Sequence, residues 1–327
     1  MDIPQGYKQT ELGIIPDDWE VKRISDFTSI ITGGTPSTLR PEYWGGNIMW
    51  MSSGELNKKF VFDVEGRITT EGLLNSSTHM IPPFCVLIGL AGQGKTRGTA
   101  AYNYISLCTN QSIAAILPND KYDSLYLYYV VDSKYDYLRL LSSGDGGRGG
   151  LNKNLLNSLE IVFPKTIAEQ RAIAEALSDI DGLIAALDKK IAKKRLIKQG
   201  AMQQLLTGKK RLPGFTDSWV EKKLGEILDY EQPQPYLVVS TDYVDSGIPV
   251  LTAGKSRILG YTTEQFGIYN KLPVIIFDDF TTDSKYISYP FKVKSSAMKV
   301  LSLKNNDYDL RLVYELMQQI DFPLKDH

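Results

Sequence analysis

The chain has 327 residues, a length that indicates two domains. It is 43% hydrophobic and 23% charged, which is typical of a globular protein and excludes a disordered chain, a collagen-like repeat and a small disulfide scaffold. The net charge of −1 gives no global sign of a nucleic-acid partner, so such a partner would need local basic patches. Two cysteines and two histidines argue against a zinc site. No apolar run approaches the roughly 18–20 residues that span a bilayer, and no signal-peptide pattern is present, which indicates the cytoplasm.

An internal repeat organises the chain. Three segments recur in the same order: 17–24 (DDWEVKRI) as 217–224 (DSWVEKKL), 83–87 (PFCVL) as 273–277 (PVIIF), and 117–123 (LPNDKYD) as 303–309 (LKNNDYD). Three collinear matches indicate a duplicated domain. Each copy shows short strands punctuated by Gly, Pro and Asn, so we expect an α+β fold. The second copy stops after a predicted helix that runs through Gln319, and it is therefore expected to be incomplete.

One long helix is predicted between the two copies, from about Thr166 to Leu206, with Pro164 before it and Gly208 after it. A helix of this length extends for about 60 Å, which suits a spacer with a partner helix along one face. Its apolar residues alternate steps of four and three, the spacing of a coiled-coil seam: Ile173, Leu177, Ile180, Ile184, Leu187 and Ile191.

A basic cluster occupies the end of this helix and the segment after it. Such a cluster is typical of a solvated helix face, and it is also compatible with contact to nucleic acid. No carboxylate interrupts its members, which are Lys189, Lys190, Lys193, Lys194, Arg195, Lys198, Lys209, Lys210 and Arg211.

Two motifs suggest an ATPase. Gly89–Thr96 (GLAGQGKT) matches the P-loop pattern, and Val274–Asp279 (VIIFDD) resembles the magnesium-binding strand of such enzymes. A P-loop must open directly into a helix, whereas the residues that follow here favour a turn into another strand. The repeat also makes the two motifs one strand in two copies, while an ATPase needs two different strands in one domain. A P-loop ATPase that uses Lys95, Thr96 and Asp278 therefore remains only an alternative.

A methyltransferase pattern is weaker still. Pro82–Phe84 (PPF) resembles part of the amino-methyltransferase motif, but Ile81 stands where a hydrogen-bonding side chain is needed. No glycine-rich loop for S-adenosylmethionine follows an early strand, so the segment is predicted to be the turn that enters a strand. Without histidines, a metal cluster or a nucleophile elbow, no carboxylate can be given a catalytic role.

Polar, glycine-rich loops with cations and amides remain as candidates. Glycine lets backbone approach phosphate, arginine suits guanine, and asparagine or glutamine suits adenine in the major groove. As a set on duplicated domains, these loops predict contact with DNA. Their residues are Thr32, Gly33, Gly34, Thr35, Ser37, Arg40, Lys95, Arg97, Asn110, Gln111, Arg148, Asn152, Lys153, Lys255, Arg257 and Lys285.

The sequence resembles the specificity subunit of type I restriction-modification enzymes over essentially its whole length. The entry into the long helix, Pro164 followed by Glu169-Gln170-x-x-Ile173, is the most specific motif. The other matching segments are 15–20 (IPDDWE), 31–37 (ITGGTPS), 110–112 (NQS), 147–153 (GRGGLNK), 161–164 (IVFP), 274–281 (VIIFDDFT) and 291–296 (FKVKSS).

The resemblance implies two target-recognition domains separated by long helices that pair as a coiled coil. Residues 1–163 would form the first domain, 164–208 the spacer helix, and 209–327 a second domain truncated before its own spacer helix. Such a subunit is not an enzyme: it reads a bipartite sequence in double-stranded DNA and recruits methyltransferase (M) subunits. Those subunits bind S-adenosylmethionine and methylate adenine N6, and ATP-driven restriction (R) subunits join through them. The chain itself would then need no cofactor and no metal. The alternatives to this interpretation are a P-loop ATPase and an assembly scaffold without DNA specificity.

Overall fold

The structure, a computed structural model, describes residues 3–92, 94–142, 150–252 and 258–322. It divides into two units, Met1–Lys189 and Lys190–His327, and the division falls inside the long helix. No helix among the described residues is both long and apolar enough to cross a membrane.

Within its described residues the first unit contains thirteen strands and most of the helices. In chain order they are β1 Tyr7–Thr10, β2 Gly13–Pro16, β3 Glu20–Arg23, α1 Ile24–Phe27, β4 Ile30–Thr32, β5 Trp44–Met51, β6 Phe60–Val61, β7 Gly66–Ile68, α2 Thr70–Leu74, β8 Met80–Ile81, β9 Val86–Gly89, β10 Ala100–Asn103, β11 Leu107–Thr109, β12 Ile113–Ile116, α3 Ser124–Ser133, α4 Tyr135–Leu141, α5 Lys153–Asn157, β13 Glu160–Phe163 and α6 Ile167–Leu205.

Two sheets form the core of this unit. One has five strands in the order β4-β12-β9-β10-β6, and the other has four in the order β7-β5-β11-β8. Strand β9 is buried on both faces: Val86 and Ile88 pack with Leu127 of α3, whereas Leu87 packs with Met51 of the second sheet. The sheet is therefore sandwiched between a helix and another sheet.

The second unit repeats this order with fewer elements. After the end of α6 come α7 Leu224–Ile227, β14 Leu228–Glu231, β15 Ile248–Leu251, β16 Ile258–Thr262, β17 Val274–Asp278, β18 Ser284–Ile287, β19 Lys292–Val293, β20 Met298–Leu303 and α8 Leu310–Met317.

The predicted duplication is confirmed by sheet topology. The order β14-β20-β17-β18 repeats β4-β12-β9-β10, and β16-β15-β19 repeats β7-β5-β11. In both copies the second sheet contains one parallel pair, β5 with β11 and β15 with β19. Asp123 and Asp309 also correspond, because each carboxylate accepts a backbone N–H at the start of the following helix.

The matching of the central strands differs by one residue from the sequence alignment. Val86 and Ile88 of β9 face α3, and Ile275 and Phe277 of β17 face α8. Because side chains alternate along a strand, Val86 corresponds to Ile275, one position away from the alignment that superposes the two prolines before these strands. The interpretation of the two motifs as one strand in two copies is unaffected.

Helix α6 begins and ends within one residue of its predicted limits. Thr166 caps it by accepting the backbone N–H of Glu169 at 3.2 Å. The buried side chain of Gln170 accepts the N–H of Asp123 at 2.9 Å and donates to the carbonyl of Pro164 at 3.0 Å. These contacts explain the Glu-Gln motif, since Gln170 ties the first turn of α6 to the start of α3.

Candidate nucleic-acid interface

Most of the predicted contact residues meet at one end of the five-stranded sheet. There β4 and β9 end while β12 and β10 begin, so the described residues of the segments 33–37, 90–92 with 94–99, and 110–112 lie side by side. Leu90 joins them to a fourth segment, because its N–H donates to the carbonyl of Ser112 and its carbonyl accepts the N–H of Leu151. The fold thus assembles loops that are far apart in the sequence into one surface, which we call the sheet-end surface.

The glycines of this surface are required by close packing. A Cβ on Gly33 would lie 2.0 Å from the carbonyl oxygen of Thr109, and one on Gly34 would lie 2.4 Å from Oγ of Ser77. The N–H of Gly34 donates to the same Thr109 carbonyl at 2.9 Å. Packing against neighbouring backbone therefore accounts for both glycines without any approach to phosphate.

Two tryptophans that sequence analysis did not single out hold the loop that follows. The indole N–H of Trp50 donates to the carbonyl of Gly34 at 2.9 Å, and that of Trp44 donates to the carbonyl of Ser37 at 3.2 Å. The two rings meet edge to face with 5.0 Å between their centroids. A tryptophan is expected to find a partner for its N–H when half-buried, but its sequence position does not reveal which carbonyl that is.

The predicted amides are held in defined orientations. The hydroxyl of Thr35 donates to Oε1 of Gln111 at 2.5 Å, which joins the glycine loop to the loop before β12. The side chain of Asn110 accepts the backbone N–H of Ser112 at 3.1 Å and so stabilises its own turn. Gln111 is exposed, and it is the amide better placed to contact a ligand.

The P-loop look-alike is a hairpin turn, as the sequence predicted. The N–H of Gly89 donates to the carbonyl of Thr99, and the N–H of Gly98 donates back to Gly89, so β9 turns directly into the antiparallel β10. In the described part of this turn, residues 94–99, no helix begins. Lys95 is exposed on it, and Arg97 is half-buried with Nη1 donating to Oγ of Ser142 at 3.3 Å.

Three of the other predicted residues have local contacts. Arg40 lies 3.5 Å from the carboxylate of Glu42 and over the ring of Tyr43. Asn152 caps α5, since its side chain accepts the third N–H of that helix, and Lys153 is the exposed first residue of α5. Lys285 is buried, and its ammonium group donates to the carbonyl of Thr252 at 2.9 Å, so its charge is not presented on the surface. Arg148, Lys255 and Arg257 lie outside the described residues.

The corresponding turn in the second unit has the opposite charge. From the last residue of β17 to the start of β18 the chain carries Asp278, Asp279 and Asp283, where the first unit carries Lys95 and Arg97. Asp279 pairs with Lys299 at 2.7 Å, and this hydrogen bond raises the pKa of the lysine. The two units therefore share a fold but differ in the charge of their equivalent turns.

Metal and thiol chemistry find little support among the described residues. No group of three or more His, Cys, Asp or Glu side chains in these ranges is arranged to hold a metal ion. Burial raises the pKa of the Cys85 thiol to about 12, so this group stays protonated near neutral pH and is a poor nucleophile or ligand.

The coiled-coil seam is exposed along most of its length. Ile173 is half-buried against the core of the first unit. The five residues that follow on the same helix face are 39–55% exposed: Leu177, Ile180, Ile184, Leu187 and Ile191.

Comparison with known proteins identifies the family. Residues 16–194 match the family model described as the type I restriction modification DNA specificity domain. The chain belongs to this family. Over 132 residues it is 49% identical to the EcoR124I/EcoR124II specificity subunit of Escherichia coli, covering 38% of this chain and 32% of that protein. Over 186 residues it is 35% identical to the MjaIX specificity subunit of Methanocaldococcus jannaschii, covering 54% and 41%.

A solved structure shares the fold. The S subunit of a type I restriction-modification system from M. genitalium superposes with a TM-score of 0.65 at 17% sequence identity, over 97% of this chain and 78% of that one. Membership in the specificity family and the mixed α/β architecture are thus confirmed. The chain spans less than half the length of each of the two relatives described above.

The hairpin geometry makes a prediction about nucleotides. Because Lys95 lies on a turn between antiparallel strands, the described residues 94–99 of that turn do not begin the helix whose N-terminus binds phosphate in a P-loop. We expect the purified chain neither to bind ATP at micromolar concentration in equilibrium dialysis nor to hydrolyse it. Micromolar binding that Lys95→Ala abolishes would contradict this description of the turn.

Proposed function

We propose that this chain is a non-catalytic DNA-recognition subunit of a type I restriction-modification complex, acting in the cytoplasm. It reads a bipartite target in double-stranded DNA and recruits adenine-N6 methyltransferase subunits, with restriction subunits joining through them. S-adenosylmethionine and ATP would bind those partners rather than this chain. The observation that carries the proposal is the sheet-end surface, where the first unit of a specificity-family fold collects cations and amides from three separate segments beside the glycine loop.

The chemistry of this surface suits a DNA duplex. Lys95 is an exposed point charge of the kind that contacts phosphate, while Gln111 is an exposed amide of the kind that pairs with adenine. Loops that a rigid sheet positions are common sites of recognition, because their side chains can vary without loss of the core. The equivalent turn of the second unit carries carboxylates in place of these cations, so we infer that this unit approaches its half of the target through other segments.

The first prediction from this proposed function concerns Lys95 and Arg97, the cations of the turn between β9 and β10. Replacing Lys95 or Arg97 by Ala should weaken DNA binding by about 1–3 kcal/mol. If both contact phosphate, the loss should be uniform across sequences and the salt dependence should become shallower. If Arg97 reads guanine, discrimination at one base pair should relax instead. Binding titrations at several salt concentrations measure both effects.

The control for this experiment is Lys121→Ala. Lys121 is exposed and follows the opposite end of β12, so its removal changes the net charge equally but away from the sheet-end surface. Its binding should match that of the parent chain. Full-strength binding with unchanged salt dependence in the Lys95→Ala/Arg97→Ala variant would remove both residues from the interface and contradict the proposal. A chain that shows no sequence preference, alone or with its methyltransferase, would favour a scaffold.

The second prediction concerns the length of α6. Inserting four residues after Leu187 adds about 6 Å and nearly preserves the helix face. If α6 separates the two halves of the target, the unspecified gap should lengthen by about one or two base pairs, at 3.4 Å each. Methylation mapping of DNA from cells that express the variant with its partner subunits measures the gap. An unchanged gap would show that α6 does not determine the spacing.

The third prediction concerns the exposed seam. Each of its side chains left in water forgoes roughly 1.5–3 kcal/mol, so we expect another helix to cover it, from a second copy or from a partner subunit. The double change Ile180→Asp and Leu187→Asp should abolish self-association or complex formation in sedimentation experiments. Leu196→Asp is the control, because Leu196 is exposed half a turn round the helix from Leu187. A folded monomer that the double change leaves unaffected would defeat the coiled-coil assignment.

A further inference from the structure

The turn that carries Lys95 and Arg97 is held from outside by one face of helix α4. Tyr135 and Arg139 lie four residues apart on this helix and Ser142 caps its end, so the three side chains share a face. All three contact the turn, and we refer to them as the α4 clamp. Sequence analysis did not identify Tyr135 or Arg139.

Two of these contacts bind the carbonyl groups of the turn. Nη1 of Arg139 donates to the carbonyl of Gly94 at 2.7 Å, and the hydroxyl of Tyr135 donates to the carbonyl of Lys95 at 3.1 Å. The same Nη1 also donates to the tyrosine hydroxyl at 3.1 Å, so the two side chains form one connected hydrogen-bond network. Each hydrogen bond in such a chain polarises the next, which strengthens the network.

The Lys95 carbonyl has a second donor inside the turn. The hydroxyl of Thr99 donates to it at 2.6 Å, so the peptide plane after Lys95 is held from two sides. Fixing this plane fixes the direction in which the lysine side chain leaves the backbone, while the side chain itself stays exposed. The clamp therefore acts on the backbone of the turn and leaves the charged group available.

Two further contacts seat the remainder of the turn on α4. Gly98 has a φ of +81°, and a Cβ there would lie 3.3 Å from the carbonyl of Tyr135 and 3.4 Å from Cγ of Arg139, so the turn packs directly against the helix. Oγ of Ser142 accepts from Arg97 and donates to the carbonyl of Arg139 at 2.6 Å. Both cations of the turn are thus oriented by the same helix face.

We propose that Tyr135 and Arg139 are positioning residues that hold the 94–99 turn in the conformation in which Lys95 and Arg97 contact DNA. The inference rests on the proposed function and deepens it, because it assigns the orientation of the contact residues to a helix. Because the clamp holds the turn before DNA binds, the backbone of the turn loses no freedom on binding. The affinity for DNA is therefore higher.

The experiment compares Arg139→Met with Arg139→Gln and Tyr135→Phe in the full chain, with a mixed-sequence DNA duplex as the probe. Arg139→Met and Tyr135→Phe should each weaken binding about 3- to 10-fold, since either change removes a hydrogen bond to the turn. Arg139→Gln loses the charge but keeps an N–H₂ donor, and it should retain most of the affinity. Tyr137→Phe, an exposed tyrosine of the same helix, is the control and should bind normally.

Combining these variants distinguishes a positioning role of Arg139 from direct contact between Arg139 and DNA. In a chain that already carries Lys95→Ala and Arg97→Ala, Arg139→Met should cause no further loss, because nothing remains to be positioned. Losses that add, or equal losses for the Gln and Met variants, would mean that Arg139 contacts DNA through its own charge, and they would overturn the proposal.

Hydrogen exchange of the free protein separates this proposal from the proposed function. The amides of residues 94–99 should exchange faster in Arg139→Met than in Arg139→Gln, without any DNA present. Unchanged exchange would show that the clamp does not hold the turn. Full-strength DNA binding by the Lys95→Ala/Arg97→Ala variant would contradict the proposed function, whatever the exchange result.

Discussion

The central strand of each unit is buried on both faces, and the rest of the architecture follows from this constraint. In the first unit Val86, Leu87 and Ile88 have no exposed surface, and in the second Val274 and Ile275 have none. Such a strand needs a helix over one face and a second sheet over the other. Both faces of this strand are then unavailable to a ligand, which leaves its ends and the loops beside them. The sheet-end surface is the result of this exclusion.

The two units share one core architecture but differ in the turns outside that core. Strand order and the helix caps are the same in both units, but the equivalent hairpin turns differ in charge and in the way they are held. The turn between β17 and β18 stabilises itself, because the buried Asp278 accepts from Thr281 and from the N–H of Phe280. The turn between β9 and β10 depends on α4. One core can therefore support two different recognition surfaces, as a bipartite target would require.

Sequence patterns predicted the features that local spacing determines. The limits of α6, the repeat and the hairpin in place of a P-loop all follow from periodicity, glycine positions and β-branched residues within short windows. The contacts within the candidate site could not be predicted in this way, because they join distant segments. Gly33 packs on Thr109, Lys285 is buried against Thr252, and Asn152 caps α5, and no local pattern separates such roles from a role in binding DNA. The contacts of the α4 clamp could not be predicted for the same reason.

If α6 sets the gap between the two halves of the target, it must be rigidly attached where it starts. The first turns of α6 meet this condition. Gln170 is buried and bonded on both sides, Ala174 lies in the core of the first unit, and the hydroxyl of Tyr129 donates to Asp181 at 2.9 Å. The apolar face is exposed from Leu177 onward, although Asp181 on the same stretch of helix still contacts the first unit. The first turns of α6 thus belong to the core of the first unit and fix the direction of the helix. The later turns expose an apolar face. A partner helix on the seam could then stiffen the remainder, but it would not need to define where α6 points.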